Sequence, residues 1–213
     1  MKQLLLSVFL PALLVVAPSL QAASGFNNTY IVLSLNGGAP AFYEERNNDT
    51  VNPQFTGTNL GTFNTASGNT LVLKGGEINT FKDTNLGTDI TGTTGFYRIV
   101  LSGSAAPALN TFTSFDVPFN ANTGGGAGFV DQKWQQTSLT TNLLTGLANG
   151  TYDFYAYNTA STNGVGAPNP LVDNGPATNG AYLSTFTVVP EPSSLALAGI
   201  AGFGVLGLLR RRR

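Results

Sequence analysis

LTGLANGTYDF, residues 144–154, is the stretch on which the fold turns. Leu144 and Leu147 end one strand and round a corner. Gly150 permits a tight turn at the far side of it. Tyr152 opens the next strand, and its hydroxyl is placed to bond back to the backbone across the corner. From there side chains alternate. Tyr152, Phe154 and Ala156 fall on one face, and Asp153, Tyr155 and Tyr157 on the other. The first set is predicted to be core and the second to face solvent.

Working outward, further short runs alternate and are bounded by Gly, Asn or Pro. They are Thr29–Leu35, Thr70–Leu73, Glu77–Lys82, Gly95–Ser102, Phe112–Phe119 and Ala181–Val189. Asn36-Gly37 after the first is a strong turn dipeptide. Residues 47–68 and 159–180 read as long polar loops. Nothing between the two ends keeps a 3.6-residue period, so long helices are not expected there. The pattern L-x-x-L-x-x-G-x-Y-x-F resembles that of immunoglobulin-like and fibronectin-type domains. The expectation is an all-β chain with a single immunoglobulin-like or jelly-roll-type β-sandwich over residues 24–189. An N-terminal signal helix and a C-terminal transmembrane helix would flank it.

Composition agrees with strands and polar turns. Charged residues are 10% of the 213, against roughly 25% in an ordinary domain. Hydrophobic residues at 42%, with 14 Phe, suffice for a core. There is no Cys and no His. That excludes disulfides, zinc sites built on those ligands, Cys nucleophiles and Ser-His-Asp triads. Between Gly25 and Val189 five bases meet ten acids, a balance of −5. A mildly acidic surface without a basic stripe argues against nucleic acid as a partner.

The two ends read as addresses. Residues 1–23 have the form of a secretory signal peptide: Lys2, an apolar core from Leu4 to Val16, then small residues, with cleavage after Ala22 or Ala23. At the other end Leu195–Leu209 is apolar and carries four glycines. Counted from Ser193, a helix there is about 25 Å long at ~1.5 Å per residue. That is short for a hydrocarbon layer of about 30 Å. Arg210, Arg211, Arg212 and Arg213 stop transfer and hold the C-terminus in the cytoplasm.

Pro190-Glu191-Pro192, an apolar span and a terminal arginine cluster together resemble a PEP-CTERM sorting signal over residues 190–213. The resemblance implies recognition by an exosortase-type membrane enzyme after passage through the secretory translocon and signal peptidase. Such enzymes are thought to cut near the motif. The product would then be released or joined to the envelope or to exopolysaccharide in a biofilm. Pro190, Glu191 and Pro192 would be acted upon rather than act. The central run (Leu73–Lys82, Gly95–Ile99, Gln132–Trp134, Asn142–Leu144, Gly150–Tyr152) resembles a module that recurs in secreted bacterial proteins. That likeness implies a self-contained extracellular domain and no catalytic residue.

Three constellations carry chemistry. Asp83, Asn85 and Asp89 place oxygens at alternate positions, as calcium loops do, although no acid follows at the twelfth position. A polar turn between strands is the simpler reading, and no other cofactor is indicated. Glu44, Glu45 and Glu77 are candidates for a carboxylate pair of the glycosidase kind, but nothing pairs them. Glu77 is expected in an ion pair with Lys74, Lys82 or Arg98. Trp134, with Tyr155, Tyr157, Tyr43 and Tyr97, offers aromatic surface for a sugar platform, against a plain core role. The expected function is that of a non-enzymatic surface or matrix protein, structural or adhesive. The alternatives are a carbohydrate-binding module and a polysaccharide-acting enzyme.

Overall fold

The computed structural model describes residues 24–46, 48–165 and 167–190. The signal segment, Glu191, Pro192, the apolar span and Arg210–Arg213 lie outside them. Among the described residues no helix is long and apolar enough to cross a membrane.

The chain is all β, in two sheets. The first contains β1 (Ser24–Leu35), β2 (Ala41–Glu44), β4 (Leu71–Asp83), β7 (Phe119–Gly124), β8 (Phe129–Gln136) and β9 (Thr141–Asn142). The second contains β3 (Asn59–Asn64), β5 (Ile90–Leu101), β6 (Thr113–Val117), β10 (Gly150–Thr162), β11 (Leu171–Asp173) and β12 (Tyr182–Val189). The first runs β2-β1-β4-β8-β7, with β9 beside β4. The second runs β3-β12-β10-β5-β6, with β11 beside β10. The named pairings are antiparallel except β12 with β3.

The corner is present. Tyr152 donates its hydroxyl to the Ala148 carbonyl at 2.8 Å. Tyr152, Phe154 and Ala156 line the main core with Ile31, Leu33, Phe63, Leu73 and Phe186. Phe55 plugs one end of it, edge-on to Phe154 at 5.2 Å. Tyr152→Phe removes only the corner hydroxyl. It is expected to lower unfolding stability by about 1 kcal/mol, checked by chemical denaturation.

The structure corrects three readings. Thr70–Leu73 and Glu77–Lys82 are one strand, β4. Gly75 sits at φ +130°, and a Cβ there would lie 2.2 Å from the Gln136 carbonyl oxygen. The glycine therefore marks a close approach to β8, not a turn. Phe112–Phe119 is two strands in different sheets, parted at Pro118, which lacks the N–H that a continuous strand needs. The loops 47–68 and 159–180 contain β3, the end of β10 and β11.

The fourth correction concerns the outer face of the second sheet. Tyr155 and Tyr157 are 5% and 7% exposed, not solvent-facing. Leu109, Phe112, Ala177 and Leu183 pack over them. Phe96 stacks on Tyr157 at 4.6 Å.

Candidate functional site

The sugar platform is not assembled. Trp134 packs between the sheets with Ile78, Ile90, Val117 and Ala160. Its indole N–H donates to Thr80 Oγ1 at 3.1 Å. Tyr155 and Tyr157 lie on the far side of the second sheet, and Tyr43 and Tyr97 pack against the main core. The candidate calcium oxygens are engaged in their own turn. Asp83 Oδ1 accepts from the N–H groups of Asn85 and Leu86, and Asp89 pairs with Lys82 at 2.6 Å. Among the described residues no three His, Cys, Asp or Glu side chains are grouped to hold a metal. Glu77 is ion-paired, but across the strands to Lys133 at 2.7 Å, not to Lys74, Lys82 or Arg98.

The charge that matters is at the end of β2. After Glu44 the chain leaves the first sheet and crosses to β3 in the second. Glu45 N–H bonds the Thr29 carbonyl, and Phe55 N–H bonds the Glu44 carbonyl. This pins the crossover at both ends and turns Glu45 inward between the sheets. Opposite it, β11 delivers Asp173, and residues 174–181 turn back into β12. Gly175 N–H to the Gly180 carbonyl, 2.7 Å, closes that turn. A Cβ at Gly175 would lie 2.4 Å from backbone atoms of Ala181 and Tyr182, so only glycine fits there.

The result is a buried polar network joining the sheets. Asp173 Oδ1 accepts from Arg46 Nη1 at 2.8 Å and from the Tyr182 hydroxyl at 3.1 Å. Asp173 Oδ2 accepts from Thr29 Oγ1 at 2.7 Å. Glu45 Oε2 accepts from Asn158 Nδ2 at 2.6 Å. Glu45 and Asp173 are 2% and 4% exposed. Burial, and then the nearby Asp173 charge, push the Glu45 carboxyl up to about 8. Burial also raises Asp173, with Arg46 opposing it, and raises the Tyr182 phenol. Thr29 is hydrogen-bonded to Glu45 as well. That bond, like the one from Asn158, favours the charged form and works against the larger effect of burial. With its carboxyl held up to about 8, Glu45 is neutral at pH 7 beside the Arg46-paired Asp173.

Above this floor lies a pocket of about 540 Å³, walled by Arg46, Gln54 and Thr56 on one side and by the 174–176 lip on the other. Glu44 is fully buried but is not part of its wall. Of these residues, reading the sequence singles out Glu44 and Glu45 as carboxylate candidates, and the runs from Glu44 to Asp49 and Asp173-Asn174 as weaker sets of calcium-type oxygens. The overlooked signal is that Glu44-Glu45-Arg46 places three charges in a row in a chain so poor in them.

The C-terminal side is equally defined. Val188 is 2% exposed and pairs with both Gly150 and Phe63, and Val189 pairs with Asn64. Pro190 follows at once and is exposed. No curated protein and no solved structure matches the chain. The family described as the PEP-CTERM protein-sorting motif matches residues 188–213. With Pro190-Glu191-Pro192 opening just after the last strand and the arginines closing the match, the chain carries a PEP-CTERM protein-sorting motif, the mark of exosortase-type sorting, at residues 188–213.

Proposed function

We propose that the protein is a non-enzymatic component of the cell surface or extracellular matrix, presented as a folded β-sandwich and placed by its C-terminal tag. The observation that carries this reading is the junction at Val189–Pro190. The last strand is fully paired before the tripeptide begins, so a cut near Pro190–Pro192 removes the apolar span and leaves the fold whole. Until that cut the arginines hold the C-terminus on the cytoplasmic side. The buried carboxyl groups support a non-catalytic role. Both oxygens of Asp173 are engaged by protein donors, and Glu45 is held by Asn158.

The test is the intact mass of the protein recovered from the medium and from the membranes of its own host. The expected chain starts near Ala23 and ends near Pro190–Pro192, with any extra mass identifying what it is joined to. A chain still ending at Arg213, found only in membranes, overturns sorting by cleavage. A second reading, carbohydrate binding, has lost its tryptophan platform. The pocket over Glu45 and Asp173 now favours it.

A further inference from the structure

The geometry points to a binding site for a neutral, polyhydroxylated ligand, a single sugar unit, in the pocket between Arg46, Gln54 and Asn174. This rests on the carbohydrate-binding reading and names where it happens and which class of sugar is taken. The volume of about 540 Å³ is in the range of small-molecule sites, roughly 300–1,000 Å³.

Charge sets the class. The Asp173 carboxylate is matched by Arg46 at 2.8 Å, and Glu45 keeps its proton. The remaining acid close by, Glu44, is outside the pocket wall, with Oε1 accepting from the Asn48 N–H. A ligand therefore meets no net charge to pair with. An ion entering would leave its own charge desolvated and uncompensated.

Polarity sets the groups. Arg46 and Asn174 bring planar donors, and Asn174 and Gln54 bring amide acceptors. Adjacent hydroxyls, each donor and acceptor at once, suit such planes. Gln54 Oε1 and Thr56 Oγ1 are sheltered from solvent and have no protein partner. Gln54 Nε2 already donates to the Asp49 carbonyl, which fixes its amide. The Gln54 oxygen lacks a donor and the Thr56 hydroxyl lacks a partner of either kind, and a ligand hydroxyl, donor and acceptor at once, suits both. Pro176 at the lip offers apolar surface to the ring carbons.

The test is calorimetric titration of the full chain, held in a detergent without a sugar headgroup. The probes are the methyl glycosides of glucose, galactose and mannose, then N-acetylglucosamine, glucosamine, glucuronate and a neutral tetrasaccharide. At least one neutral sugar is expected to bind saturably. Tighter binding of the tetrasaccharide assigns the site to a glycan end, and equal binding to a free sugar. Asn174→Ala and Gln54→Ala are each expected to weaken it about tenfold, Asn174→Ala with an unchanged melting temperature and Gln54→Ala with only the small fall that loss of its bond to the Asp49 carbonyl brings. Asn174 is exposed and Gln54 half-buried, so neither change removes core. Binding of only glucosamine or glucuronate overturns the neutral class while keeping the carbohydrate reading. Binding of no sugar overturns both. Binding that both variants leave unchanged overturns the location.

Discussion

Glu45→Gln is expected to be more stable than the parent protein at about pH 8 and to lose most of the parent's pH dependence. The sign follows from where the proton sits. In the fold the Glu45 carboxyl holds its proton up to about 8, against an ordinary value of 4.5 in the unfolded chain. Between those values the unfolded state has released a proton that the native state still binds. Stability is thus fully present below 4.5 and falls as pH rises through the window to about 8. The slope is roughly 1 kcal/mol per pH unit, and it ends once both states are ionised. Asp173, also raised, adds a fall of the same sign starting from its ordinary value of 3.8. Gln at position 45 keeps an oxygen for Asn158 Nδ2 and an N–H for Thr29 and has no charge to desolvate. Denaturant unfolding of both proteins at about pH 5 and about pH 8 decides it. A parent protein whose stability is flat or rising across that range sinks the assignment. So does a Gln variant weaker than the parent at both values.

Much of the sandwich is legible in the residues, and the failures share a cause. Period-two alternation says which side chains share a face. It therefore finds Tyr152, Phe154 and Ala156, whose corner also has a local signature. Alternation does not say whether the second face is covered. Tyr155 and Tyr157 are buried by Leu109 and Phe112, contributed by the short connection ahead of β6, and its place over this sheet face is not displayed by the sequence. For Trp134 the sequence leaves a platform and a plain core role side by side, the core role favoured, and its neighbours Ile90 and Ala160 from the other sheet are what the sequence does not display. The short strands β2, β9 and β11 hold too few residues to show alternation. Glycine is ambiguous in sequence. Gly75 reads as a break but serves a close approach. The Glu45 network has little local mark. Its partner Asn158 is 113 positions away, and Thr29 and Asp173 are 144 apart. Only the adjacency of Glu44, Glu45 and Arg46 in so uncharged a chain hints at it. The tag lies at the opposite extreme. It is recognised as a linear sequence, so the order Pro-Glu-Pro, apolar span, arginines can be read without a fold.

Asp173→Ala is expected to lower stability by about 3 kcal/mol at neutral pH, and Asp173→Asn by about 1. Breaking one partner out of a buried pair typically costs about 3–5 kcal/mol. The lower end applies because the Arg46 side chain is 31% exposed and can turn to water. Thr29 and Tyr182 cannot, since they are 0% and 4% exposed. Both hydroxyls lose the acceptor they share; Thr29 can turn to Glu45, but the Tyr182 hydroxyl is left without one. Asn restores one acceptor oxygen of the two, hence the smaller loss. The buried phenol gives an independent readout. Part of the rise at Tyr182 comes from the Asp173 charge, so its titration moves down toward the ordinary range in either variant. Arg46→Met combined with Asp173→Ala is expected to lose less than the sum of the two single changes, because the two side chains form one unit. Additive losses, or an Ala variant within about 0.5 kcal/mol of the parent, would show that the ion pair is a surface contact of little weight. The distinction reaches the pocket. Thr29 belongs to the first sheet and Asp173 to the second, so this carboxylate ties together the sheets that carry the two walls. Losing it frees the 174–176 lip from the crossover, and with it the spacing between Asn174 and Gln54 on which a ligand would depend.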